Sequence, residues 1–120
     1  MTRIETPKDF EVAIDVAHAA LLYGMVLSLK PRRCIELGIG SGYATQTILD
    51  AIARNGVGNL ICVDSFQDWN GVEPPHIATL RSLGANVCRS GEREFLASQE
   101  SHSVHLLVSD ADHAHSGSWV

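Results

Sequence analysis

Three observations predict an α/β fold, a Rossmann-like doubly wound parallel sheet. Apolar runs of strand length alternate with segments of helical period. The connections between them are short, so successive strands rejoin one sheet through right-handed crossovers. The first strand also runs straight into a turn with glycines at alternate positions, Gly38, Gly40 and Gly42, that opens a helix. With 120 residues the chain is one domain, 1–120, large enough for a core but small for a doubly wound protein.

The first helix has Thr6 as cap, Pro7 at its first position and Asp9 where a capping box wants an acid. Phe10, Ile14, Ala17, Leu21 and Met25 recur at helical spacing, and Pro31 ends the element. Arg33 to Leu37 is the first strand. From Gly42 to Arg54 the set Ala44, Ile48 and Ile52 has helical period, with Asn55-Gly56 as the stop. Asn59 to Asp64 is a continuous apolar run, as a strand covered on both faces requires. A long loop follows from Ser65 to Glu73, then a helix opened by Pro74-Pro75, carrying Ile77, Leu80 and Leu83, and closed by Gly84. Asn86 to Arg89 is the third strand, Glu92 to Gln99 a short helix, and Ser103 to Ser109 the fourth strand. The long loop lies beyond the carboxyl end of the second strand, the edge where open α/β sheets bind ligands.

Composition narrows the function. A net charge of −5 gives no footprint for nucleic acid or an anionic membrane. The longest uncharged run, Val16 to Leu29, is shorter than the about 20 residues that span a bilayer, and no secretory signal opens the chain. A cytoplasmic location is expected. Cys34, Cys62 and Cys88 are odd in number and fall in or beside strands, which suits reduced, buried, inert thiols.

The glycine turn is a nucleoside-cofactor cradle, and the residues around it narrow the ligand. A dinucleotide fingerprint would carry its last glycine where Tyr43 stands, and no Gly-Lys-Ser/Thr follows for a phosphate loop. Glu36, just before the turn, would repel a pyrophosphate but suits a ligand bearing an amine and a sulfonium. At these residues the chain resembles the class I S-adenosylmethionine-dependent methyltransferases. Glu36, Gly38, Gly40 and Gly42 match their first motif, acid-x-Gly-x-Gly-x-Gly. Asp64 matches the acid ending their second strand, which holds both ribose hydroxyls; its two oxygens can accept from two neighbouring hydroxyls. Ser90, Gly91 and Glu92 fall where the family walls the adenine, a looser match. Phe66 is placed either over the adenine face or in plain packing. The resemblance implies strand order 3-2-1-4, the first four strands of a seven-stranded sheet.

Val108-Ser109-Asp110-Ala111-Asp112-His113 is similar to the segment after the fourth strand in metal-dependent small-molecule O-methyltransferases of the catechol and caffeoyl-coenzyme A types. That resemblance makes Asp110 a ligand of Mg²⁺ or a similar hard cation, beside the cofactor, and His113 the general base. The competing reading makes Asp110 and Asp112 a helix cap and His113 and His115 solvated loop residues. The set His102, His105, His113 and His115 does not suggest a shared zinc site, because His102 and His105 fall on opposite strand faces.

Two function classes stay open. One is an enzyme, or the cofactor-binding portion of one, that methylates a small hydroxylated molecule. The other is a non-catalytic module that binds S-adenosylmethionine. The family's remaining strands and metal ligands are not accounted for in these residues, so the C-terminal part of the fold is expected to be missing. The fourth strand is then an edge that invites a homodimer.

Overall fold

The structure, a computed structural model, describes residues 16–100 and 103–109. Helix α1 (Val16–Leu29) precedes strand β1 (Arg33–Leu37), and α2 (Tyr43–Asn55) leads to β2 (Asn59–Asp64). A single 3-10 turn, Gln67–Trp69, breaks the loop before α3 (His76–Ser82). Then come β3 (Asn86–Arg89), α4 (Glu92–Ala97) and β4 (Leu106–Ser109). All strand pairings are parallel and the order is β3-β2-β1-β4, as expected. The expected cap and first turn of the opening helix (Thr6, Pro7, Asp9, Phe10, Ile14) lie outside the described residues, as do His102, Asp110, Asp112, His113 and His115.

Strand alternation sorts the core into two layers. Cys34, Leu60 and Cys62 join Leu22 and Val26 of α1, Ile48, Leu49 and Ala51 of α2, and Ile77 and Leu80 of α3. Ile35, Leu37 and Val63 face the other way, with Phe95 of α4 packed beside them. The chain therefore covers one face with α1 to α3, crosses back after β3, and covers the other with α4. The sheet's winding reverses between β1 and β4, which creates a crevice at their carboxyl ends.

Helix α2 is displaced by one residue from its expected bounds, and the ends of β4, α4 and α3 also differ from expectation. β4 starts at Leu106 rather than Ser103, because Ser103 is drawn into a turn in which its N–H and Oγ both donate to the Glu100 carbonyl, at 3.2 and 2.7 Å. His105 is thus outside the strand, its Nδ1 accepting from the Arg32 N–H at 3.1 Å. α4 ends at Ala97, where the N–H groups of Ser98 and Gln99 bond to the carbonyls of Phe95 and Leu96, a tightened last turn. α3 ends at Ser82, ahead of Leu83 and of Gly84, whose φ of 112° leaves the helical region. No helix among the described residues is long and apolar enough to cross a membrane.

Candidate functional site

The site forms where β1 and β2 end side by side. Glycines at 38, 40 and 42 have φ of 87°, 57° and 87°, a conformation that costs an L residue roughly 1–2 kcal/mol. Three such residues at alternate positions fold the chain back sharply between β1 and α2. Gly40 lies at the exposed apex, and a Cβ added there would meet nothing within 4 Å. The cradle is therefore open on that side, while its other end is fastened to the sheet. The Gly38 N–H donates to the Val63 carbonyl at 2.8 Å, and the Gly42 N–H donates to Ile39 at 3.1 Å.

Asp64 sits at the end of β2 and braces this turn. Its Oδ2 accepts from the Ile39 N–H at 2.9 Å and its Oδ1 accepts from the Phe66 N–H at 2.8 Å. Each carboxylate oxygen has a second lone-pair direction, so both can still accept from a ligand. The Asp64 carbonyl accepts from the Ser90 N–H at 3.1 Å, which brings the start of the β3–α4 connection alongside. Ser90 Oγ donates to the Gly91 carbonyl at 2.9 Å, and Gly91 caps α4 in an extended conformation. Gly38, Gly40, Gly42, Asp64, Ser90 and Gly91 thus share one edge of the sheet.

Glu36 belongs to the same segment but points into the protein. It is 0% exposed, on the strand face covered by α2, and its Oε1 accepts from the Thr45 hydroxyl in the first turn of that helix. The thiol of Cys62, next to Glu36 across the β1–β2 pairing, lies within the same group. Burial first, and then the charge of Glu36, push that thiol well above the ordinary cysteine range. Glu36 therefore ties the strand end to the helix that the glycine turn opens.

Phe66 resolves between its two expected placements in favour of packing. It is 1% exposed and part of the main core, although its φ of 58° is rare for an aromatic residue. Burial of the ring outweighs that local cost, and the backbone at Phe66 anchors the following loop. The Trp69 and Gly71 N–H groups both donate to its carbonyl, at 3.0 and 2.8 Å.

A side chain that the sequence did not single out also reaches the turn, with a second packed against it. His76, the first residue of α3, places Nε2 at 2.8 Å from the Gly40 carbonyl. Trp69 meets the His76 ring edge-on, with centroids 5.7 Å apart and planes at 62°. The available signal was the position of Pro74-Pro75-His76, a rigid entry to a helix on the ligand-binding edge. Among the described residues no group of three His, Cys, Asp or Glu side chains could hold a metal ion.

An open glycine turn braced by a carboxylate on the neighbouring strand, at the end of a parallel sheet, is the arrangement of a Rossmann-like domain. A family model described as a methyltransferase domain matches residues 35–119, and the chain belongs to that family. No curated protein matches the sequence. Among solved structures, the S-adenosylhomocysteine-bound Podospora anserina methyltransferase PaMTH1 matches at a TM-score of 0.64 and 16% identity, over 88% of this chain and 44% of its own. The O-methyltransferase TomG from Streptomyces achromogenes, in tomaymycin synthesis and in complex with S-adenosylmethionine, matches at 0.60 and 17%, over 83% and 46%. CmcI with magnesium and S-adenosylmethionine matches at 0.55 and 20%, over 82% and 42%. These likenesses establish the methyltransferase fold, and the chain spans less than half the length of each of these three proteins.

Proposed function

We propose that this chain is the cofactor-binding portion of an S-adenosylmethionine-dependent O-methyltransferase that acts on a small hydroxylated molecule. The observation that carries the reading is the geometry of Asp64. Its carboxylate is fixed by two backbone N–H groups, one of them in the glycine turn, and keeps lone pairs for a pair of ribose hydroxyls. The left-handed glycines leave the main chain bare where the rest of the cofactor would lie, and the Ser90-Gly91 segment flanks the same edge.

In this reading S-adenosylmethionine supplies a methyl group on a positively charged sulfur. The protein's part is to hold the cofactor and orient the acceptor oxygen in line with that methyl. His113 would take the acceptor's hydroxyl proton, which an imidazole does near neutral pH without a large shift. Asp110 would contribute to the cofactor pocket and offer an oxygen ligand to a cation such as Mg²⁺. Both roles rest on the sequence resemblance of the Asp110 to His113 segment.

The test is calorimetric titration with S-adenosylmethionine and S-adenosylhomocysteine, with and without Mg²⁺. The wild-type chain is expected to bind both, and Asp64→Ala to lose binding while its far-UV circular dichroism stays unchanged. Unchanged affinity in Asp64→Ala would remove the assignment. Binding without turnover of any hydroxylated acceptor would leave the non-catalytic module as the better description.

A further inference from the structure

We infer that His76 is a positioning residue for the cofactor turn, a latch that holds its apex in the binding conformation from the neighbouring helix. The inference rests on the reading of the turn as an S-adenosylmethionine cradle and names a residue that acts on it through Gly40. A carbonyl oxygen can only accept, so the 2.8 Å contact requires a proton on His76 Nε2 that is donated to Gly40.

The turn needs such a latch because of what it is made of. Glycine has more backbone freedom than any other residue, and ordering it costs the most entropy. Three glycines in five positions would leave the apex free to sample many conformations, and a ligand would bear the cost of selecting one. The sheet side of the turn is fixed by Val63 and Asp64. Gly40, at the exposed apex, is met from α3 by His76.

His76 is itself held in place. The Phe66 ring is anchored in the core, and its carbonyl collects the Trp69 and Gly71 N–H groups. Trp69 then sets its ring edge-to-face against His76, an arrangement that limits the imidazole's rotation. Pro74 and Pro75 stiffen the chain on the other side. The path from core to apex therefore runs Phe66, Trp69, His76, Gly40. It also makes the long loop after β2 a brace for the turn.

The experiment compares wild type, His76→Phe and His76→Gln in the full chain. His76→Phe keeps a ring against Trp69 and removes the donor; His76→Gln keeps an N–H at similar reach. S-adenosylhomocysteine affinity is expected to fall about five- to tenfold in His76→Phe, the worth of one lost hydrogen bond, and to recover largely in His76→Gln. Without ligand, amide hydrogen exchange across residues 38–43 should be faster in His76→Phe and close to wild type in His76→Gln. Wild-type affinity and exchange in His76→Phe would overturn the inference, and so would equal loss in both variants. If wild type bound no S-adenosylhomocysteine, the methyltransferase reading of the turn would fall, while the exchange comparison would still decide whether His76 holds the apex.

Discussion

At the scale of single residues, burial decides what the functional groups do. Cys34 is fully buried, and desolvation of its thiolate pushes its pKa from 9.0 up to about 11. Cys62 moves in the same direction, by burial and by the charge of Glu36. A pKa raised on folding means that the folded state favours the neutral thiol. That contribution is complete below pH 9 and is lost as pH rises toward the folded value. Urea denaturation should therefore show stability falling between pH 8 and pH 10.5, with Cys34 responsible for on the order of 1–2 kcal/mol. Cys34→Ala should show a smaller fall over the same interval; an equal one would refute the assignment to this thiol. The sequence reading of inert buried thiols agrees for Cys34 and Cys62, while Cys88 is half-buried. The glycines were legible too, because few other residues tolerate positive φ. Phe66 was not, since its left-handed backbone follows from tertiary burial against local preference. Nor could the sequence give the inward direction of Glu36, which depends on Thr45 facing it from the next element.

At the scale of elements, β1, β2 and β3 were legible to the residue, the first two as apolar runs in the middle of the sheet. The ends of α4 and β4 were not, because turns through Glu100 and Ser98 compete there with regular structure. Two glycines show how the same residue type serves opposite purposes. Gly24 lies inside α1, and a Cβ added to it would meet nothing within 4 Å. Gly24→Ala should stabilise the chain by about 0.5–1 kcal/mol, since alanine narrows the unfolded ensemble and favours helix. Gly58 precedes β2 with φ of 113°, and a Cβ there would stand 2.5 Å from the Pro31 carbonyl oxygen. Gly58→Ala should therefore destabilise by about 1–3 kcal/mol, because the backbone of one connection must move. Thermal denaturation of the two variants should shift in opposite directions, and a shared direction would contradict the local geometry.

At the scale of the whole molecule, the sheet has two unlike edges. β3 closes one with Asn86 and Arg89 exposed at its ends, and Asn86 Nδ2 donates to the Leu60 carbonyl at 3.2 Å, so polar groups occupy that border. β4 forms the other, pairing with β1 on one side and with no strand on the other among the described residues. It reads Leu106, Leu107, Val108, and Leu107 is 48% exposed on the face that α4 covers elsewhere. An apolar edge without a charge, a proline or a bulge is a template for another strand. We therefore expect self-association of the 120-residue chain through β4, visible in sedimentation velocity as a mass that rises with concentration. Leu107→Lys should suppress it, because pairing would then desolvate an ammonium group beside a neighbouring strand. It should leave S-adenosylhomocysteine binding in place, since the β1–β2 end that carries Gly38, Gly40, Gly42 and Asp64 lies away from that outer border. A wild-type chain that stays monomeric at every concentration would refute the edge argument. Loss of both association and cofactor binding in Leu107→Lys would instead show that the order of the glycine turn depends on pairing at β4.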